Sequence, residues 1–220
     1  MKYTVLIISW IIWCAIHSGM ISLTFNEYLK NRFGRYYKFF RLFYNLVALI
    51  TLIPLILYSQ SLKGHVLFRW EGYMTFVQFL LLAIAITLFI AGGLKYDMLH
   101  FFGVRQIKSG KFHSALSESG EIDTSGILGL TRHPWYIAAI IFIWVDYREM
   151  YVSTLIVNIL LTIYVVVGTV LEERKLIIEL GESYRNYIDR VSMLFPTKWI
   201  FFKLSMANKA NSADAKKPNG

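Results

Sequence analysis

Cysteine is almost missing from this chain, which has a single one, Cys14, among its 220 residues. One thiol excludes an internal disulfide and a cysteine metal cluster, and we predict no metal site. The pattern G-x-G-x-x-G, which opens a helix after a strand in Rossmann-type nucleotide-binding domains, is also absent. A soluble cofactor-binding domain of that kind is therefore excluded.

Negative charge is scarce as well, because 14 Asp and Glu residues stand against 23 Lys and Arg. The resulting net charge of +9 would suit nucleic acid only if the basic residues formed a stripe on a soluble module. Instead they gather at 30–41, at 95–132 and after 171. We predict contact with anionic membrane lipids and no nucleic-acid partner. By the positive-inside rule, the N-terminus is predicted outside and the C-terminus in the cytoplasm.

Apolar sequence is abundant, since 56% of the residues are hydrophobic and 16% are aromatic. Four uncharged stretches each reach the roughly 20 residues that cross a hydrocarbon core. They cover residues 3–23, 42–62, 72–94 and 150–171. A fifth, 134–145, is short for a full crossing.

We predict an all-α integral membrane protein with about five transmembrane helices, the last two forming a C-terminal helical hairpin. Residues 1–203 are predicted to form one membrane-embedded domain, and the polar residues 204–220 a disordered tail. The first apolar stretch is expected to be retained, because no small-residue cleavage site follows it. The oligomeric state is left open.

Polar and charged groups bracket the predicted hairpin. Arg132 and His133 directly precede Pro134, a residue favoured in the first turn of a helix, where free N–H groups attract anions. Counting back from the hairpin tip places His133 level with about Thr162. Glu172 should then lie roughly 15 Å further along the axis, with a polar cleft one small cofactor long between them.

Aromatic and acidic side chains complete this candidate pocket. Tyr136 and Trp135 offer flat faces that suit an adenine ring or a sulfonium cation. Glu172 and Glu173 could bind ribose hydroxyls or an amino group. Beyond Gly181, a predicted helix cap, residues 182–190 read as a short cytoplasmic amphipathic cap helix.

Three sequence motifs resemble the isoprenylcysteine carboxyl methyltransferase superfamily. They are T-R-H-P-W-Y at 131–136, L-E-E-R-K-L at 171–176 and L-G-E-S-Y-R-N-Y at 180–187. Looser similarities at 17–18, 41–45 and 97–106 point to the bacterial branch that contains methanethiol S-methyltransferases. Trp135 departs from the smaller aliphatic residue of many relatives, and could narrow the pocket.

The resemblance implies that S-adenosyl-L-methionine binds between the last two membrane helices and the cap helix. The implied cofactor-binding residues are Arg132, His133, Tyr136, Glu172, Glu173, Tyr184, Arg185 and Tyr187. The candidate catalytic bases are His133, Asp97 and His100. A bacterial inner-membrane location follows from the same resemblance.

Several functions remain open from sequence alone. The favoured one is S-methylation of a small alkyl thiol such as methanethiol, which would give dimethyl sulfide. A prenylated cysteine or another lipidic substrate is the alternative acceptor. The chain could instead be a non-catalytic accessory membrane protein of the kind associated with nitric-oxide reductase. A haem or quinone carrier using His17 and His100 is the remaining hypothesis.

Overall fold

The computed structural model describes residues 1–95, 99, 102–104, 107 and 124–214 of the chain. Eight α-helices in these residues set the architecture. They are α1 (Lys2–Ile21), α2 (Leu23–Phe33), α3 (Phe40–Ser61), α4 (Tyr73–Gly93), α5 (Pro134–Val145), α6 (Val152–Leu180), α7 (Glu182–Arg190) and α8 (Thr197–Asp214). Two 3₁₀ turns, Gly34–Phe39 and Gly126–Gly129, and two short strands, β1 (Val66–Arg69) and β2 (Glu149–Tyr151), connect them.

Four helical stretches are long and apolar enough to cross a membrane, and their exposed apolar side chains agree with a lipid surrounding. They are Lys2–Ile21, Thr24–Ser61, Tyr73–Gly93 and Val152–Leu180. The prediction of an all-α membrane protein is confirmed. Helix α5 has 12 residues and is about 18 Å long, shorter than a hydrocarbon core of ~30 Å. The count of about five crossings therefore stays a prediction.

The bundle of α1, α3 and α6 is held by a small core and by hydrogen bonds between helices. Leu6, Trp10, Leu55 and Val157 pack together there. Trp10 Nε1 donates to Ser59 Oγ at 2.9 Å. Because lipid tails are as apolar as these side chains, close packing and such hydrogen bonds have to hold the helices together.

Helix α5 packs tightly on α4 around Trp135. The Trp135 indole N–H donates to the carbonyl of Phe89 at 3.0 Å. A Cβ at Gly92 would lie 2.5 Å from Trp135 Cδ1, whereas one at Gly93 would lie 3.8 Å from its nearest neighbour, Trp135 Cζ2. Gly92 thus permits the close approach of the large Trp135 indole.

The two arms of the hairpin, α5 and α6, are offset along the bundle axis. The prediction that His133 lies level with Thr162 is wrong. Trp144 Nε1 donates to Thr162 Oγ1 at 3.0 Å, so Trp144, and not His133, lies level with Thr162. The cause is the non-helical segment 146–151, which carries the chain up to about 20 Å beyond α5. Its strand β2 pairs antiparallel with β1 in the α3–α4 connection. We call this two-stranded sheet the ribbon.

Both arms then return over equal lengths to the opposite end of the bundle. From Trp144 back to His133, and from Thr162 on to Glu173, each helix covers about 16 Å. The two ends of the hairpin therefore meet directly, and the expected axial cleft of roughly 15 Å between them is not formed.

The C-terminal region contains two further helices. Gly181 ends α6 with a φ of +57°, as its predicted role as a cap requires. Helix α7 coincides with the predicted amphipathic segment, and its cytoplasmic position stays a prediction. Helix α8 extends into residues 204–220, for which the composition predicts disorder, and the domain boundary at 203 stays a prediction.

The Gly92 contact generates a stability prediction with a matched control. Gly92→Ala should lower stability by about 1–3 kcal/mol, because the new methyl group overlaps the Trp135 ring. Gly93→Ala should raise stability by up to ~1 kcal/mol, since alanine favours the helix and meets only ordinary contacts. Thermal unfolding of both variants in the same detergent measures the difference. Equal melting temperatures would show that α4 and α5 do not pack as described.

Candidate functional site

The segment before α5 is fixed by the chain that follows α7. Thr131 and Ser192 form a parallel β-bridge. The Arg132 amide donates to the Ser192 carbonyl at 3.0 Å, and Thr131 Oγ1 donates to the carbonyl of Met193 at 3.1 Å. Backbone pairing of this kind leaves little freedom at Arg132, so its side chain enters the site from a defined position.

Helix α5 begins at Pro134, whose fixed φ suits the first turn. His133 occupies the cap position with φ −128° and ψ 65°, and its amide donates to Thr131 Oγ1 at 3.3 Å. The rings of His133 and Tyr136 stack at a centroid distance of 5.3 Å and an angle of 14°. The start of the helix thus presents two parallel rings on one side.

Arg132 is the most highly connected side chain of the site, and it is 5% exposed. Its Nε and Nη2 each lie 2.6 Å from Glu173 Oε1. Its Nη1 donates to the carbonyl of Ile188 at 3.2 Å and also to that of Val191. The guanidinium therefore ties α5, α6 and the end of α7 together, and its buried charge is compensated.

The two adjacent carboxylates of α6 differ in their surroundings. Glu173 has a side chain only 13% exposed, and its Oε1 also lies 3.2 Å from His133 Nε2. Glu172 is 37% exposed; its Oε2 lies 3.8 Å from His133 Nδ1. That oxygen accepts a 2.5 Å hydrogen bond from Tyr136. Glu173 thus belongs to the interior network, whereas Glu172 faces outward beside the stacked rings.

Helix α7 covers the site on the side of Glu173 with two buried tyrosines, Tyr184 and Tyr187. Tyr184 is 1% exposed, and its hydroxyl donates to Glu173 Oε1 at 3.5 Å. Burial, reinforced by the charge of Glu173, raises the pKa of Tyr184, so its phenol stays protonated as a donor. Tyr187 packs edge-on against Tyr184 at 5.9 Å and donates to the carbonyl of Leu128 at 2.6 Å.

The structure brings together six of the predicted residues: Arg132, His133, Tyr136, Glu172, Glu173 and Tyr184. Tyr187 lies beside them with its hydroxyl on Leu128. Arg185 points away, 59% exposed and paired with Glu182 at 3.3 Å. Asp97 and His100 lie outside the described residues, so their proposed role as bases stays a prediction.

Two positioning groups were missed by sequence reasoning. Ser192 holds the backbone of Arg132, and Leu128 receives the hydroxyl of Tyr187 through its carbonyl. Both act through the main chain, so their side-chain identity carries no signal. Only their place a few residues from the motifs could have suggested them.

A comparison with protein-family models shows which family the chain belongs to. The family model described as NnrU protein matches residues 5–175. The chain belongs to the NnrU protein family. The matched part holds the polar motif before α5 and the carboxylates of α6, and it ends before α7.

Several curated proteins that are similar to this chain have the name of an enzyme. "Methanethiol S-methyltransferase" of Pseudomonas deceptionensis is 37% identical over 100 residues, 44% of this chain and 37% of its own length. "Methanethiol S-methyltransferase 1" of Bradyrhizobium diazoefficiens is 45% identical over 65 residues, 30% of this chain and 22% of its own length. The Methanethiol S-methyltransferase of Crocosphaera subtropica is 33% identical over 99 residues, 44% of this chain and 38% of its own length.

These relatives confirm the resemblance predicted from the motifs. The chain spans less than two fifths of the length of each of these three relatives. No solved structure matches the chain.

The buried ion pair generates a second prediction. Arg132→Met should destabilise the protein by about 3–5 kcal/mol, because it leaves Glu173 buried without its counter-charge. Combining it with Glu173→Leu should restore most of the loss, since both charges are then gone. Arg185→Met is the control, and its exposed pair should contribute at most ~1 kcal/mol. The unfolding midpoints of all variants are measured in the same detergent. Equal midpoints for Arg132→Met and for the double variant would contradict the buried ion pair.

Proposed function

We propose that this chain is an S-adenosyl-L-methionine-dependent membrane methyltransferase that methylates a small alkyl thiol such as methanethiol. The observation that carries the proposal is the outward carboxylate of Glu172 beside the stacked His133 and Tyr136 rings. An anionic group next to flat aromatic faces, at the end of an apolar helix, suits a cationic and partly aromatic ligand. The enzyme names of the relatives agree with it.

The residues present fit this cofactor in charge and in shape. S-adenosyl-L-methionine combines a sulfonium, an ammonium, a carboxylate, ribose hydroxyls and an adenine ring. Glu172 can accept from the ammonium or the ribose, and the ring of Tyr136 can stack on adenine or face the sulfonium. The first turn of α5, with its N-terminal amides, favours the carboxylate.

Within this proposal the side chains divide into contact and positioning groups. When bound, the cofactor supplies an activated methyl group on a sulfonium. Glu172, Tyr136 and His133 are the contact residues. Arg132 and Glu173 position them, because their charges are already committed to each other and to the end of α7. Tyr184 covers the network from α7 and excludes water from it.

The acceptor is proposed to be a thiol because all three relatives described above carry that substrate in their names. A short alkyl thiol dissolves in the bilayer and can approach between the apolar helices. A prenylated cysteine or another lipid could use the same lateral route. Comparing methanethiol with a farnesylated cysteine analogue in one turnover assay separates these acceptors.

A non-catalytic accessory role is the second candidate function. It is favoured by the matching family model, whose description names no reaction, and by Arg132, whose Nε, Nη1 and Nη2 all bond within the chain. Such a protein would keep the hydrogen-bond network for folding alone. Gas chromatography of the headspace over purified protein, cofactor and methanethiol decides between the two. Dimethyl sulfide above the level of a boiled sample supports the enzyme, and its absence despite cofactor binding supports the accessory role.

Cofactor binding generates a third prediction. Glu172→Gln should weaken S-adenosyl-L-methionine binding by roughly tenfold or more, because a charge-assisted contact worth about 1.5–3 kcal/mol is lost. Its melting temperature should change little, because the carboxylate is partly exposed.

Glu179→Gln is the matched control for this measurement. It makes the same change on the same helix, at a carboxylate that pairs with Lys175 at 3.6 Å. Isothermal calorimetry should give this control the wild-type affinity. Equal loss in both variants would mean that bulk charge, not a contact at Glu172, governs binding.

A further inference from the structure

An open groove lies at the corner between α1 and α2, apart from the carboxylate site. Its volume is about 610 Å³, within the roughly 300–1,000 Å³ that is typical of ligand pockets. Its walls come from one face of each helix: Ile16, Gly19 and Met20 of α1, and Thr24, Phe25 and Tyr28 of α2. We call this feature the corner groove.

Hydrogen bonds fix the corner and leave its walls largely apolar. Ser22 Oγ donates to the carbonyl of Gly19 at 2.8 Å and accepts from the amide of Phe25 at 3.4 Å. Asn26 Nδ2 donates to the Ser22 carbonyl at 2.8 Å, and its Oδ1 accepts from the hydroxyl of Tyr37 at 2.6 Å. Because these polar groups bond within the chain, the groove offers a ligand mainly hydrocarbon surface.

Positive charge gathers where α2 ends. Residues 30–41 contain several basic side chains and no acidic one: Lys30, Arg32, Arg35, Lys38 and Arg41. In the described part of the chain, none of them forms an ion pair. This differs from Arg132, whose charge Glu173 compensates. An anion from outside the protein is therefore the available counter-charge.

Arg32 is the basic residue that continues the groove. Thr24, Tyr28 and Arg32 follow one another at four-residue intervals on α2, so they share one stripe. Lys30 is two residues from Arg32 and so lies about 160° away around the helix. The helix dipole favours both cations in the last turn of α2 and does not distinguish them. Only Arg32 places its charge at the end of the apolar walls.

The surroundings of the groove are typical of a membrane boundary. Tyr28, Phe33 and Tyr36 are exposed, and the guanidinium of Arg35 lies 4.9 Å from the centroid of the Tyr36 ring. Exposed aromatic rings beside Lys and Arg occur where acyl chains meet headgroups. Helix α1, which is long and apolar enough to cross a membrane, ends at this corner. The groove therefore opens toward lipid, and its charged end toward the headgroups.

We propose that the corner groove binds one acidic glycerophospholipid, with an acyl chain between α1 and α2 and the phosphate on Arg32. A guanidinium suits this phosphate because it can donate two parallel hydrogen bonds. A soluble phosphate compound would leave the apolar walls uncovered, and a lipid without net charge would leave the cations uncompensated. The inference is separate from the proposed methyl transfer and does not depend on it.

Native mass spectrometry of the delipidated full-length protein tests the phosphate contact. Phosphatidylglycerol should bind at least about tenfold more tightly than phosphatidylcholine with the same acyl chains. Arg32→Gln should lose most of this preference. Lys30→Gln is the matched control, because it removes the same charge from the other side of the same helix, and it should keep the preference.

Two results of this measurement would overturn the proposal. Equal affinity of the wild type for the two lipids would show that the site does not select an acidic lipid. An equal loss in Arg32→Gln and Lys30→Gln would show that bulk charge, and not a contact at the end of the groove, attracts the lipid.

Gly19→Leu tests the acyl-chain part of the site. A Cβ at this position would meet no heavy atom within 4 Å, so a leucine fills the groove without displacing its walls. Ala15→Leu is the control, since Ala15 is exposed on the same helix and does not line the groove. At a hundredfold excess over its Kd, phosphatidylglycerol should raise the Tm of the wild type and of this control by about 5–10 °C. Gly19→Leu should show a much smaller rise, and an equal rise in all three proteins would overturn the groove.

Chain length separates the groove from the headgroup contact. Dihexanoyl phosphatidylglycerol has the same headgroup on short chains, so at the same concentration it should raise the Tm less than the long-chain lipid does. An equal rise would overturn the role of the groove. None of these measurements needs S-adenosyl-L-methionine or a thiol, so a failure here is distinguishable from a failure of the methyltransferase proposal.

Discussion

The ion pair between Arg132 and Glu173 is the interaction on which the site depends. Two guanidinium nitrogens lie 2.6 Å from one carboxylate oxygen, and a third reaches the carbonyls that end α7. Buried charges are stable only when they are paired and their remaining donors are bonded. Arg132 thus fixes the start of α5, the end of the apolar part of α6 and the short helix α7 that covers both.

Commitment of Arg132 and Glu173 to each other explains why neighbouring residues have such different tasks. Glu172, one position along α6, projects to the other side and keeps a partly exposed carboxylate. His133, one position after Arg132, stacks on Tyr136 and contacts both glutamates. Consecutive residues on α6 therefore separate into a buried carboxylate and a partly exposed one, whereas Arg132 and His133 before α5 are both buried.

Much of this arrangement was predictable from the sequence, because its signals are local. Uncharged stretches identified the membrane helices, and Pro134 and Gly181 marked helix ends through their backbone geometry. The polar motifs likewise gave the six residues that meet in the site. Local patterns could not give the register between helices, so the expected separation of His133 and Glu172 was wrong.

The polar contacts among α1, α3 and α6 show the same limit more strongly. Ser18 and Tyr164 are 146 residues apart, and their helices are apolar on most faces. In soluble proteins a buried stripe reveals which face packs inward, but in lipid both faces are hydrophobic. Only the three-dimensional arrangement shows that His17, Tyr44 and Tyr164 share one location.

The ribbon at the far end of the bundle has a consequence for how this architecture tolerates insertions and deletions. Each residue gained or lost within 146–151 would slide Thr162 past Trp144 by up to ~3.3 Å, a displacement larger than a hydrogen bond can follow. The same slide would separate His133 from Glu173, although both lie at the opposite end. The length of this connection is therefore constrained by contacts at the opposite end of the bundle, more strictly than the identity of its side chains.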